Sequence, residues 1–313
     1  MSLRCLYCHQ PLSDHEQDFH VACSKKFFGT PIPPVLAIKW EELQNMAREL
    51  VLKSTAVTGV QPKLSLNLER LDAQSSRLTL VGLWGDFILK PPTEQFEALP
   101  ENEDVTMKMA AEFGIKTAEH TLIRLKSGEL AYLTKRFDRS GSKRIHMEDL
   151  CQLTETLTEH KYRGSMEKVG RTVRTYATNK GLEALTLFET TLFCFVTGNA
   201  DMHLKNFTLI RPEGGDIALS PAYDLLSTKL ALPEDKEECA LTINGKKNRL
   251  TRVDFDKLAL NLGISAKSTE RVYRRLVQKI DAFTDMIDGS FLPIEQQLTY
   301  KKLLKERIER VSG

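Results

Sequence analysis

No stretch of this 313-residue chain approaches the roughly 20 consecutive apolar residues of a membrane span. The nearest, Leu182 to Val196, is interrupted by Glu183 and Glu189. An apolar leader is missing as well, because Cys5, His9, Asp14 and His15 stand where its core would be, so no secretory signal is expected. Charge of one sign is absent: 44 basic residues face 42 acidic ones, a net +2. That balance excludes bulk attraction to nucleic acid; a local basic patch stays open, and no direct sequence-specific nucleic-acid binding or membrane contact is expected. Cysteine is too sparse for a disulfide framework. Of six, Cys5, Cys8 and Cys23 are crowded while Cys151, Cys194 and Cys239 are scattered, which fits a reducing, cytoplasmic setting. What remains is an ordinary globular composition, 41% hydrophobic and 27% charged, on a chain long enough to bury a core without staples.

The patterning divides the chain in three. Residues 1–34 read as a short Cys/His appendage ending in the breaker cluster Gly29-Thr30-Pro31-Ile32-Pro33-Pro34. Residues 35–140 read as a sheet-rich lobe with one helix. Period-two alternation marks Lys63 to Leu68 and Arg77 to Val81, and short strands are expected at Phe87-Ile88-Leu89-Lys90, Thr121-Leu122-Ile123 and Leu130 to Thr134. The helix is marked by Val105, Met109 and Phe113, with Gly114 as its C-cap. Residues 141–313 read as a larger helical lobe. Leu182, Leu185, Phe188, Leu192 and Phe195 predict a core helix, and Ser265 caps a long helix expected to carry Val272, Leu276, Ile280, Phe283 and Ile287. A last helix is expected over about 293–311. The fold class is α+β, a small sheet lobe followed by a helical one.

The most informative string is Gly198-Asn199-Ala200-Asp201-Met202-His203-Leu204-Lys205-Asn206-Phe207, directly after the most apolar helix. An Asp-x4-Asn spacing suits phosphoryl transfer: one carboxylate orients the attacking hydroxyl, and a nearby amide oxygen holds a divalent cation on the phosphates. A second Asp follows in Ser220-Pro221-Ala222-Tyr223-Asp224. Upstream, Lys90 closes a strand before the helix opening at Glu101-Asn102-Glu103, the arrangement of a phosphate-binding lysine and its acid, with either glutamate open as the partner. Earlier still, Thr58-Gly59-Val60-Gln61-Pro62-Lys63 could turn over phosphates, although one glycine is a weak sign.

These strings resemble the HipA family of serine/threonine kinase toxins. The resemblance is carried by Gly59-Val60-Gln61-Pro62-Lys63-Leu64-Ser65, Phe87 to Pro91, Glu101-Asn102-Glu103, Lys135-Arg136-Phe137-Asp138-Arg139, Met147 to Gln152, Gly198 to Phe207 and Pro221-Ala222-Tyr223-Asp224, over about residues 35–310. It implies a two-lobed, protein-kinase-like fold and an ATP- and magnesium-dependent serine/threonine kinase. Asp201 would be the catalytic base, and Asn206 and Asp224 the magnesium ligands. Gly59, Lys63, Lys90, Lys135, Phe137 and His203 would meet the nucleotide. The family implies a protein substrate such as an aminoacyl-tRNA synthetase, a HipB-like DNA-binding protein, and, for the short HipT type that this chain resembles, a small HipS-like antitoxin. It also implies an autophosphorylated serine at the position that is Ala56 here, so Ser54, Thr58 and Thr55 are the expected substitutes. Two other readings stay open on the residues: a kinase-fold binding module of an antitoxin–operator complex, and a small-molecule kinase.

At the N-terminus, Cys5-x2-Cys8-x11-His20-x2-Cys23 offers three thiolates and one imidazole, the donor set of a tetrahedral structural zinc. Reduced cysteines packed as small apolar residues are the competing reading, and His9 or His15 could replace a ligand.

Overall fold

A computed structural model describes residues 3–53, 62–72, 75–81, 85–140 and 143–313. The chain forms two compact units. Unit 1 comprises Met1–Asp104, Ala118–Arg136 and Gly289–Phe291; unit 2 comprises Val105–Thr117, Phe137–Asp288 and Leu292–Gly313.

Unit 1 holds helices α1 (Val21–Phe28) and α2 (Trp40–Lys53), strands β1 (Leu64–Arg70), β2 (Ser76–Val81) and β3 (Phe87–Lys90), the first turns of α3 (Leu99–Phe113), then β4 (His120–Arg124) and β5 (Leu130–Lys135). The strands pair antiparallel in the order β2-β1-β3-β5-β4. Leu64 opposes Leu89 and Leu66 opposes Phe87, so alternate side chains of β1 and β3 share the buried face. The N-terminal segment is no appendage. Cys5, Leu6, Phe19, Phe27 and Phe28 lie in one core with Leu66, Phe87, Leu122 and Leu133, each buried phenyl ring contributing roughly 2–3 kcal/mol. Nor do residues 35–140 hold a single helix: α2 precedes α3.

Unit 2 begins with the strands β6 (Arg139–Ser140), β7 (Lys143–Arg144) and β8 (His146–Asp149), followed by α4 (Leu150–Leu153), α5 (Met166–Tyr176) and α6 (Lys180–Thr197). Then come β9 (Thr208–Arg211), β10 (Ala218–Leu219), α7 (Thr228–Ala231), α8 (Arg252–Asn261), α9 (Ala266–Gln278), α10 (Ile280–Asp288) and α11 (Ile294–Ser312). Strands β10-β9-β8 form a small sheet, and β6 pairs with β7. Helix α6 is buried on almost every side, with α5, α8 and α11 against it. Phe193 of this helix stacks on Phe113, and Phe283 meets both rings edge-on, ring centres 6.0–6.4 Å apart. The single long helix expected after Ser265 is two. Ser265 Oγ caps α9 by accepting from the Ser268 amide, but the chain leaves the helix at Lys279, and Ile280, Phe283 and Ile287 belong to α10. Among the described residues no helix is long and apolar enough to cross a membrane.

Candidate active site

In unit 1 the centre of interest is Lys90. It ends β3, an inner strand of the sheet, and its ammonium is only 4% exposed. Its Nζ donates to Glu103 Oε1 at 2.5 Å, and the carboxylate is itself 1% exposed. The acid is therefore Glu103, two residues beyond Glu101. The Tyr132 ring lies 5.3 Å from the ammonium and adds a cation–π contact. Glu101 stands apart from the pair: burial, with Asp104 and Glu97 nearby, pushes its carboxyl up to about 7. Lys135, at the end of β5, reaches Glu119 at 2.5 Å and lies over the Phe27 ring. Lys63 is exposed just before β1. Gly59, Ser54, Thr55 and Thr58 lie outside the described residues.

The chain passes from unit 1 to unit 2 between Arg136 and Phe137. Phe137 rests on Tyr223, ring centres 5.6 Å apart, and the Tyr223 hydroxyl donates to the Lys205 carbonyl at 2.8 Å. Lys205 in turn pairs with Asp149, at the end of β8, at 2.8 Å.

The string 198–207 is a loop leaving the buried end of α6. Gly198 turns it with a left-handed backbone, φ +75, where a Cβ would fall 2.6 Å from Leu303, so only glycine serves. Its two amides hold the loop. Asn199 Oδ1 accepts from the Asp201 N–H at 3.0 Å, and Asn206 Nδ2 donates to the Asp201 carbonyl at 3.0 Å. Thr228 Oγ1 links the Gly198 carbonyl to the Ala200 amide. The backbone of Asp201 is thus fixed from both sides while its carboxylate stays half-buried. One carboxylate oxygen, Oδ1, accepts the Tyr162 hydroxyl at 2.7 Å. Tyr162 is a residue that sequence reasoning missed: it lies 39 positions upstream, with no local signal linking it to the loop. Burial, then the Asp201 carboxylate, pushes its phenol up, so it stays a donor.

His203 is buried, and among the described residues its Nδ1 has no hydrogen-bond partner. Burial lowers its pKa, against the pull of Asp201, which favours the neutral ring. An orphaned buried nitrogen is unusual enough to mark a place for a ligand. Asp224 adopts φ +55, a conformation that Asp tolerates better than most side chains, and its carbonyl faces the Asn199 amide. The amide oxygen of Asn206 and the carboxylate of Asp224 are hard donors of the kind magnesium takes, and with the Asn206 nitrogen committed to Asp201, its oxygen is the atom left for a cation.

The N-terminal ligand atoms of Cys5, Cys8, His20 and Cys23 all lie within 4.8 Å of one another in unit 1. His9 does not join them; it turns to Asp104 at 2.7 Å.

The chain matches the HipA-like C-terminal domain over residues 55–283. A kinase-named protein of Sinorhizobium fredii is 34% identical over 69% of this chain and 55% of its own length, so the chain spans about half of that relative. A kinase-named protein of Haemophilus influenzae is 24% identical over 93% of this chain and 90% of its own. The serine/threonine-protein kinase toxin HipA of Shewanella oneidensis is 26% identical over 82% of this chain and 64% of its own. Among solved structures, the complex of Shewanella oneidensis HipA, HipB and operator DNA holds a chain of the same fold, with TM-score 0.68 and 21% identity over 85% of this chain and 70% of that one. The Helicobacter pylori proinflammatory kinase CtkA follows, with TM-score 0.55 and 16% identity over 79% of this chain and 95% of that one. The two-lobed, kinase-like α+β class expected from the strings is the fold of both. With the domain match covering well over half of its residues, the chain belongs to the HipA-like C-terminal domain family.

Proposed function

We propose that the protein is an ATP- and magnesium-dependent serine/threonine kinase acting as the toxin of a HipA-type toxin–antitoxin system. The observation that carries the reading is Asp201: its backbone is clamped by two amides while one carboxylate oxygen already accepts a hydroxyl. That is the posture a base needs to orient an acceptor serine or threonine and take its proton. Lys90, held by Glu103, binds phosphate oxygens; Asn206 and Asp224 hold the magnesium, which when bound neutralises phosphate charge. Lys135 and Phe137 flank the adenine, His203 meets the nucleotide through its unpartnered Nδ1, and Gly59 and Lys63 belong to the loop over the phosphates. Ser54, Thr58 or Thr55 in that loop is the autophosphorylation site, where about −1.5 to −2 added charges would repel the nucleotide.

The substrate is a translation protein, an aminoacyl-tRNA synthetase first among them, and the protein works in the cytoplasm under a small HipS-like antitoxin and a HipB-like DNA-binding protein. The HipB and operator DNA of the Shewanella complex support that kind of partner.

The test is phosphosite mass spectrometry on bacterial lysate incubated with the full chain and ATP, with and without magnesium. A modified synthetase, present only with magnesium and lost in Asp201→Ala, is the expected result. Asp201→Ala should lower turnover at least about a thousandfold while ATP affinity changes little. Absence of phosphate transfer to any protein, the chain itself included, overturns the reading.

A further inference from the structure

The phosphoryl-transfer reading makes no use of the N-terminal knuckle, yet it is the most deliberately built polar cluster of unit 1. Cys5 and Cys8 flank a tight turn closed by the His9 amide on the Cys5 carbonyl at 2.9 Å, with Arg4 and Pro11 bridging its base. His20 caps the start of α1 and Cys23 lies in its first turn, so the second ligand pair comes from one rigid helix end. The imidazole orientation is set from behind: Nε2 donates to the Pro11 carbonyl at 3.0 Å, which leaves Nδ1 as the bare nitrogen. That nitrogen faces Cys8 Sγ at 3.3 Å and Cys23 Sγ at 3.7 Å. A tetrahedral centre with zinc–sulfur bonds of about 2.3 Å and a zinc–nitrogen bond of about 2.0 Å separates neighbouring ligand atoms by roughly 3.5–3.8 Å. All four cysteine and histidine donors lie within 4.8 Å of one another, close enough to contract onto one such centre, and all three thiols are free of disulfides. Packed as apolar residues, three sulfurs would have no reason to converge on the bare nitrogen of an oriented ring.

The knuckle also touches something consequential. His9 follows Cys8 directly and has a left-handed backbone, φ +62, which is uncommon outside glycine although histidine tolerates it better than most side chains. The bend sends Nε2 to Asp104 Oδ2 at 2.7 Å, while the ring stands edge-on to Phe291 at 5.0 Å. Asp104 is wholly buried and has His120 on its other side, at 3.6 Å. Its chain neighbour is Glu103, the partner of Lys90. A short path therefore runs from the Cys8 turn through His9 to the helix turn that bears the phosphate lysine's acid.

We propose that Cys5, Cys8, His20 and Cys23 bind one structural zinc ion, and that the closed knuckle sets His9 against Asp104, making His9 a positioning residue for the second turn of α3.

Elemental analysis of the full chain purified without chelator reads the first half: one zinc per chain is expected, and cobalt substitution should give the intense thiolate bands of a tetrahedral sulfur-rich site. Hydrogen exchange at the amides of Asn102 to Asp104 reads the second. These should exchange about tenfold faster once zinc is withdrawn by chelator, and equally fast in His9→Ala, which keeps its zinc. Metal at background, with all three N-terminal thiols titrating freely, overturns the site. So does Cys23→Ser, where it folds, with tetrahedral cobalt bands unchanged. Exchange that stays at the native rate both after zinc removal and in His9→Ala overturns the positioning role. Neither measurement reads phosphate transfer, so the outcome is independent of the kinase assignment.

Discussion

Two acidic groups carry the phosphoryl-transfer reading, and each unit treats its own differently. In unit 1, Glu103 and Lys90 are almost wholly buried and meet as opposite charges at 2.5 Å. In unit 2, Asp201 keeps a half-buried carboxylate whose partner is a neutral hydroxyl at 2.7 Å. Burial makes the first pair costly to part, because each desolvated charge would lose its opposite charge. The second contact can be exchanged for water or for another hydroxyl at little cost. In the proposed reaction the difference separates anchoring from working: the lysine proposed to hold phosphates is fixed in place, while the carboxylate proposed as the base is left reachable.

That contrast breaks most visibly under single substitutions. Glu103→Ala should cost about 3–5 kcal/mol in denaturant unfolding, since it removes the counter-charge beside a buried ammonium. Asp201→Ala should stay within about 1 kcal/mol of the native protein. A Lys90→Met, Glu103→Leu double variant should recover most of the lost stability, because well-packed apolar groups often replace a buried ion pair without loss, and should still bind ATP poorly. Equal unfolding midpoints for Glu103→Ala and Asp201→Ala would erase the distinction between the two regions.

Acid titration sharpens the comparison, because two first-turn helix carboxylates, Glu101 in unit 1 and Asp254 in unit 2, are shifted in opposite directions. Burial, reinforced by Asp104 and Glu97, raises Glu101 to about 7. A folded-state value above the unfolded one means that the folded chain binds the extra proton, so stability falls as pH rises from about 4.5 through about 7. Glu101→Gln should therefore stabilise the protein by up to about 3 kcal/mol at pH 8, and the gain should fade below pH 5. Asp254 in unit 2 behaves in reverse. Burial would raise it, but Lys246, Asn244 and Thr251 donate to its carboxylate and bring it down to about 2. Its stabilisation is fully present above about pH 4 and is lost as pH falls through 2. Asp254→Asn should cost about 2 kcal/mol at neutral pH, with the gap closing in strong acid. A melting series across pH 2–9 in which both variants run parallel to the native protein would remove this opposition.

Much of the architecture was legible from the residues, and the failures have physical causes. Strands β1 and β2 announce themselves through a period of two, whereas β4 and β5, buried on both faces, read as short apolar runs. Helix α6 does so because it is apolar on nearly every face. Helix α1 was hidden by its eight-residue length; α2 was legible but went unread, since Trp40, Leu43, Met46 and Leu50 recur at helical spacing. The break at Lys279 was invisible because the helical apolar spacing of Leu276, Ile280 and Phe283, four residues and then three, continues across it with no glycine or proline to mark the stop. At the site, Lys90 and the loop 198–207 could be read from local strings. The choice of Glu103 over Glu101 could not, since it depends on which face of α3 meets β3. His9 looked like a spare ligand because it adjoins Cys8; only its left-handed backbone turns it away to Asp104.

The smallest effect tests the reachable side of the comparison, through Tyr162. Its hydroxyl occupies Asp201 Oδ1, the atom that an acceptor serine or threonine needs in the proposed reaction. The ring is 42% exposed and edge-on to His203 at 5.1 Å, so it is held by few contacts and its hydroxyl trades readily with water. Tyr162→Phe keeps the ring and deletes only the competing donor. The net worth of such a hydrogen bond is about 0.5–1 kcal/mol, so the acceptor KM should fall roughly twofold to fivefold. The ATP KM should not move, because the substitution leaves Lys90, Asn206 and Asp224 untouched, and stability should change by less than about 1 kcal/mol. Steady-state kinetics with a serine peptide acceptor reads all three quantities apart. A rise in acceptor KM would show instead that the tyrosine holds the acceptor, and Asp201 would then be a carboxylate with a fixed partner, as Glu103 is.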